Sequence, residues 1–437
     1  YTLDITAQAI VKAREMTAIT LNLTRHFARP SSLAWKTLGY LGSAQAILTL
    51  LGIVSSLLWA RYVPTQTYGQ YQIVASTVGI VSGLCLTGLS HSLTLSAAKN
   101  LYGNFKSIFI LKTVASALGM MALFGVSLWA FSDQQAIGRD ALWIAAVLFP
   151  VYELQKIWPA WLIGENKLRL NSSLGLIRKG LLVILIGVLI LADKLDLETL
   201  VACFFGTTAL FSAVVVYCIY PRHKNDDSDP EIVKFGVHVT GATVLGTLIH
   251  SDKLIILQHL SIEDVSVYAI ALIFPSQIKS LNKIFKQMMI PHISSCSSIE
   301  DGWTYLKPKL PSLACLFAFV GLAGFVTLPT AIPILFSEKY VLAAPYTKWL
   351  WLALAIPAPT VYLGSILLAQ QKKAFLYFNS SYYPLLLFVL YLVLIPWYGL
   401  WGAVGAQFIA STVLALVYIS SFTWYLRKER HLQVEVA

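Results

Sequence analysis

Runs of about 20 apolar residues, each long enough to cross a roughly 30 Å hydrocarbon core as a helix, recur throughout this chain. They fall at about 38–60, 68–90, 107–131, 140–163, 172–192, 198–220, 234–257, 265–287, 311–336, 346–369, 375–396 and 400–425. Within lipid, backbone N–H and C=O groups must find partners inside the spanning segment, which leaves helices or closed barrels. Runs of this length without alternation select helices. Hydrophobic residues make up 57% of the 437 positions and charged residues only 12%, far from the balance of a soluble multidomain protein. The sequence predicts an all-α polytopic membrane protein with about 12 transmembrane helices.

A weak internal repeat divides these helices. Val63-Pro64-Thr65-Gln66-Thr67-Tyr68-Gly69-Gln70-Tyr71 separates two apolar runs, and Leu260-Ser261-Ile262-Glu263-Asp264-Val265-Ser266-Val267-Tyr268 does the same later. Aligning Tyr71 with Tyr268 sets the copies close to half the chain apart. Duplicated helical halves with a site between them are a common plan for transporters. The polar stretch Pro221–Pro230 marks the division. The expected organisation is a cytoplasmic N-terminal segment (1–35), a first lobe of six spans (36–220), a linker (221–233), a second lobe of six spans (234–426) and a cytoplasmic tail (427–437). Pro64 and Gly69 read as residues that serve the first turn.

Orientation follows from the excess of Lys and Arg in short cytoplasmic loops. With the N-terminus inside, most of the 32 basic residues become cytoplasmic, while Arg61, Arg139, Lys194, Lys339 and Lys348 fall outside. Both termini are then cytoplasmic. The net charge of +11 needs no nucleic acid, because positive segments facing an anionic leaflet account for it. The five cysteines lack the spacing of a zinc site or a disulfide framework. No Walker loop, GxSxG or HExxH motif is present, and no outer loop is long enough to hold a catalytic domain. A transporter without cofactor or metal is expected, with H+ or Na+ as coupling ion.

Ionisable residues within spans are costly and mark function or pairing. His250, Asp252 and Lys253 lie in span seven. On an α-helix His250 and Lys253 share a face, and Asp252 points about 100° away. One reading has Lys253 snorkel outward and Asp252 pair with a neighbouring helix. The other has a cationic lumen for an anionic substrate, with Asp252 or His250 as the coupling group. In span eight, Lys279, Lys283 and Lys286 with Asn282 form a polar stripe after Pro275, a residue that should kink the helix. The stripe serves either as positive-inside anchoring or as a mouth for a phosphate-bearing headgroup. Glu153 and Lys156 in span four are spaced for an i, i+3 pair, with Glu153 a second coupling candidate. Lys112 is expected to snorkel, and Arg178 and Lys179 sit at the start of span five, where either role fits.

Taken together, Ala60-Arg61-Tyr62-Val63-Pro64-x-x-x-Tyr68-Gly69-x-Tyr71, its counterpart from Asp252-Lys253-Leu254-Ile255-Ile256-Leu257 to Tyr268, and Tyr398-Gly399-Leu400-Trp401-Gly402-Ala403 resemble the Wzx-type polysaccharide-biosynthesis flippases of the MATE-like (MOP) superfamily. The resemblance spans about residues 36 to 428. It implies two MATE-like lobes and alternating access around a central cationic cavity in a bacterial inner membrane. The implied cargo is an undecaprenyl-diphosphate-linked oligosaccharide, with membrane lipids and glycan-assembly proteins such as a polymerase as partners. Asp252 and Lys253 match the acidic–basic pair expected near the outer end of helix seven, and Ser266 stands where many relatives have Gly. A multidrug or cation antiporter of the MATE type and a membrane-embedded glycan polymerase or ligase are the competing readings.

Overall fold

A computed structural model describes residues 32–130, 138–220, 225–296, 298–370, 372, 375 and 377–436. The sequence readings for residues 1–31 and for 221–224 of the linker lie outside the described residues. Among the described residues twelve long helical rods follow one another: α1 (Ser32–Tyr62), α2 (Thr65–Leu84 bent into Leu89–Ala98), α3 (Gly103–Ala130), α4 (Arg139–Tyr152, a 3-10 turn Glu153–Lys156, then Ile157–Gly164), α5 (Leu168–Leu191), α6 (Leu197–Ile219), α7 (Pro230–Thr243, a 3-10 stretch Val244–Ser251, then Asp252–His259), α8 (Ile262–Ser295), α9 (Leu310–Phe336), α10 (Ala343–Ala355 continued by Val361–Ala369), α11 (Tyr383–Tyr398, preceded by a π turn Phe378–Tyr382) and α12 (Leu400–Val436). Among the described residues nine rods are long and apolar enough to span a membrane, and α2, bent by 58°, makes a tenth. The other two fall short for visible reasons: α4 is interrupted at Glu153–Lys156, and α8 carries Lys279, Lys283 and Lys286. α8 remains α-helical on both sides of Pro275, from Ile262 to Ser295.

Burial joins the lobes at one end, the end carrying the two related hairpins. There a single apolar core combines Trp59, Tyr68 and Tyr71 of the first lobe with Ile256, Tyr268 and Tyr391 of the second. Toward the other end the apolar clusters divide, one around Phe105, Trp158 and Trp161 and one around Phe317, Tyr362 and Phe422. Yet α7 still packs on α2 there: Val233 joins the first cluster, the Ser92 hydroxyl donates to the Ile232 carbonyl (2.5 Å) and the Gly88 N–H to the Thr240 hydroxyl (3.0 Å). Burial of α1 follows the same pattern, concentrating at Ser55, Trp59 and Ala60 near its hairpin.

The repeat has a direct structural meaning. Aligned copies put Gly69 opposite Ser266, and in the fold these residues face each other across the lobe boundary. A Cβ on Gly69 would strike the Ile262 carbonyl and the Ser266 side chain, and the Ser266 hydroxyl donates to the Thr65 carbonyl. Gly69 therefore permits close approach of α2 and α8 rather than serving the turn, as its sequence position suggested. The second-lobe hairpin is closed by a capping box: the Ser261 hydroxyl accepts from the Asp264 N–H (3.1 Å), and the Asp264 carboxylate accepts from the Ser261 N–H (3.2 Å), which satisfies two end donors of α8. Lys339, between α9 and α10, donates to the carbonyls of Val63 (2.8 Å) and Arg61 (3.3 Å), a further tie between the lobes at this end.

At the opposite end, the α8–α9 connection is not a plain loop. It holds a short helix, Ile299–Leu306, whose first N–H groups donate to the Glu429 carboxylate of α12 (3.3 and 3.2 Å). Arg430 grips Glu300 with two hydrogen bonds (2.7 and 2.8 Å) and holds its carboxyl below the usual Glu range. The described part of the linker is likewise pinned: the Gly103 N–H donates to the Asp227 carbonyl (2.9 Å), and Asn104 exchanges hydrogen bonds with Asp229.

Candidate functional site

The site begins with a break in α7. From Val244 to Ser251 the backbone winds as a 3-10 helix before α-helical geometry resumes at Asp252. Extended 3-10 winding in mid-helix is unusual and commonly marks strain or a hinge. His250, Asp252 and Lys253, expected on two faces, line one cavity of about 180 Å³ together with Lys279, Tyr268 and Tyr391. Asp252 is buried, and its carboxylate accepts from the Lys253 N–H (2.8 Å); among the described residues it forms no ion pair with a neighbouring helix. Lys253 does not snorkel either. Its ammonium donates to the Gln72 side-chain oxygen of α2 (2.7 Å), crossing from one lobe to the other.

A second cavity of about 170 Å³ adjoins the first, sharing Lys279 and Leu354. Asn282, Tyr383 and Ser411 lie on its wall, and buried Asn282 accepts from the Tyr362 hydroxyl (3.0 Å). The polar lining thus ends at Asn282. Lys283 is exposed and Lys286 half-buried, and neither lines these two cavities. Of the stripe, Lys279 and Asn282 line these two cavities.

Three lining residues, Tyr268, Tyr391 and Gln407, are not among the candidates named from the sequence. Tyr268 had been noticed only as a repeat marker, although its hydroxyl meets that of Tyr391 at 3.4 Å. Tyr391 in turn donates to Gln407 (3.0 Å). Gln407, a lone amide in the apolar first half of α12, was the detectable one. With two ammonium groups, an imidazole, two phenols and an amide around one carboxylate, the cavity offers mostly donors and excess positive charge. Such a set suits phosphate-like oxygens, for which charge-assisted hydrogen bonds are short and strong.

The remaining candidates belong to the first lobe. Glu153 and Lys156 form the expected pair at 3.0 Å, and Ser82 bridges them, donating to Glu153 and accepting from Lys156 (2.6 Å). Lys112, expected to snorkel, is only 3% exposed and donates to Ser90 (3.3 Å). The bend in α2 and the 3-10 turn in α4 open space for polar side chains at this depth, so the ammonium turns inward. Arg178 is half-buried on α5 and donates to Gln155 (2.7 Å), and Lys179 is half-buried beside it. Neither lines the two second-lobe cavities.

Comparison with known proteins supplies both a family and a fold. Residues 57–345 match the family described as polysaccharide biosynthesis protein. A MATE protein crystallised in complex with MaL6 superimposes with a TM-score of 0.63 at 12% identity, covering 91% of this chain and 99% of that one. An outward-facing multidrug-resistance MATE transporter of the MOP superfamily gives 0.64 at 12% identity over 91% and 95%. A MOP superfamily transporter from Pyrococcus furiosus, described as having a binding pocket of reversed polarity, gives 0.62 at 13% identity over 88% and 98%. At such identities these likenesses establish the fold. No curated protein matches the sequence.

Proposed function

Because the chain belongs to the polysaccharide biosynthesis protein family, we propose that it is a flippase that carries undecaprenyl-diphosphate-linked oligosaccharide repeat units across a bacterial inner membrane. The observation that carries this reading is the donor-rich cavity holding Lys253 and Lys279, beside a lobe boundary that Lys253 itself bridges. In this scheme the diphosphate docks against the two ammonium groups, with His250, Tyr391 and Gln407 completing the donor set. The sugars occupy the space between the lobes, and the polyprenyl chain stays in lipid.

Alternating access follows from the division of the core. The lobes share one apolar cluster at the hairpin end, while at the other end their apolar clusters are separate and α7 crosses to α2. Exchange of closure between the ends would therefore carry α7 with the first lobe or break its contact with α2. Incoming phosphate competes with Gln72 for Lys253, which links cargo binding to release of an inter-lobe contact. Asp252, hydrogen-bonded to the Lys253 backbone, is the group at which H+ or Na+ binding would alter the charge of the cavity. The positive-inside bias places the hairpin end on the periplasmic side and both termini in the cytoplasm. The protein works without cofactor, and a polymerase is the expected consumer of its product.

Depletion in the host tests the scheme. Undecaprenyl-linked repeat units should accumulate on the cytoplasmic side while surface glycan falls. Unchanged surface glycan with altered drug resistance would replace it by a multidrug antiporter.

A further inference from the structure

The two ends of α11 and α12 mark the borders of the membrane. At the hairpin end Trp397 and Trp401 are exposed (81% and 46%), and Trp424 (56%) is exposed near the other. Trp401 and Trp424 are separated by roughly 35 Å along α12 at 1.5 Å per residue, close to the thickness of the hydrocarbon core. Such spacing of amphipathic rings is that of two interfacial belts. Trp424 therefore sits at headgroup depth.

At that depth a groove of about 380 Å³ opens between the start of α11 and α12, lined by Phe375, Phe378, Val417, Ser421, Trp424 and Tyr425. The π turn Phe378–Tyr382 widens the first winding of α11 beside it. Two cations flank the groove. The Lys428 ammonium lies 5.3 Å from the Trp424 ring centre, and that of Lys372 lies 5.3 Å from the Tyr425 ring. Among the described residues no carboxylate comes within ion-pair distance of either lysine. The hydroxyl of exposed Ser420 is at the same level, and the exposed side chains of Leu416 and Ile419 continue toward the membrane centre.

From this arrangement we infer a binding site for one anionic phospholipid of the adjoining leaflet. Its phosphate lies between Lys372 and Lys428, with Ser420 and Ser421 as hydroxyl donors. Its glycerol region rests on Trp424 and Tyr425, and one acyl chain runs past Leu416. Charge complementarity favours an anionic headgroup, because a zwitterionic one brings its own cation to a place already holding two. The site is separate from the cavity of Lys253 and Lys279 and does not depend on what that cavity carries.

Native mass spectrometry of the delipidated full-length protein in detergent, titrated with phosphatidylglycerol and with phosphatidylcholine of the same chains, tests the inference without any glycan. The wild type should take one phosphatidylglycerol roughly 30-fold more tightly than phosphatidylcholine, a size set by two interfacial lysines. Lys372→Ala/Lys428→Ala should lose that preference and Lys372→Arg/Lys428→Arg keep it, while Lys339→Ala/Lys348→Ala, at the opposite end, should leave it unchanged. Should the double alanine variant fail to fold, Lys428→Ala alone should reduce the preference measurably. Equal binding of the two lipids by the wild type, or wild-type phosphatidylglycerol binding by the alanine variants, would overturn the assignment.

Discussion

Translocation by Lys253→Gln/Lys279→Gln should fall by roughly 10²- to 10⁴-fold, the loss expected when two charge-assisted hydrogen bonds of about 1.5–3 kcal/mol each are removed from bound cargo. Each single variant should account for about half of that loss on a logarithmic scale. Lys253 has a second role, however, as the donor to Gln72 across the lobe boundary. Gln72→Ala separates the two, because it breaks the inter-lobe contact and leaves the charge. A small change for Gln72→Ala beside a large one for Lys253→Gln would place the effect in the cargo. Lys283→Gln is the matched control on the same helix, because that lysine is exposed and outside the two cavities. Initial rates in proteoliposomes are the readout. Wild-type rates for the double variant would return both lysines to an anchoring role.

The second large effect concerns stability. Glu153→Ala removes the one carboxylate paired with Lys156 in a site where Glu153 is only 3% exposed. Lys112, equally buried, donates to Ser90 one helix away. Deleting one partner of a fully buried ion pair costs about 3–5 kcal/mol; Lys156 is 26% exposed and keeps its hydrogen bonds to Ser82, which lowers the expected cost to about 2–3 kcal/mol. Thermal unfolding in detergent should therefore shift down by several degrees. Glu153→Gln, which can still accept from Ser82, should lose less, and Glu153→Gln/Lys156→Met should recover part of the loss because no unpaired partner remains at Lys156. A Glu153→Ala variant as stable as the wild type would show that water or another group solvates Lys156.

The all-helical membrane fold was legible because it rests on apolar run length, a property of each segment by itself. The pairing of Glu153 with Lys156 was legible for a similar reason, since i, i+3 neighbours meet whether the helix is regular or tightened. What failed depended on backbone detail or on distant partners. The assumption of a regular helix put Asp252 on a different face from His250, whereas α7 changes its winding at Ser251 and both residues line one cavity enclosed by neighbouring helices. Lys112 looked like an anchor because its distance from the membrane surface can be counted, but the bend in α2 that buries it cannot. Gly69 was assigned to a turn by position, while its role is set by Ile262 and Ser266, far along the chain. Tyr391 and Gln407 became candidates only once α11 and α12 were seen to close the same cavity.

The most direct test of the central proposal is reconstitution of the purified protein into liposomes carrying a fluorescent undecaprenyl-diphosphate oligosaccharide, with enzymatic or chemical access to one leaflet only. The wild type should move the labelled lipid between leaflets, and Lys253→Gln/Lys279→Gln, equally folded and equally reconstituted, should not. Equal movement in protein-free liposomes and with the wild type, or equal rates for the wild type and the double variant, would contradict a cargo site built on these two lysines.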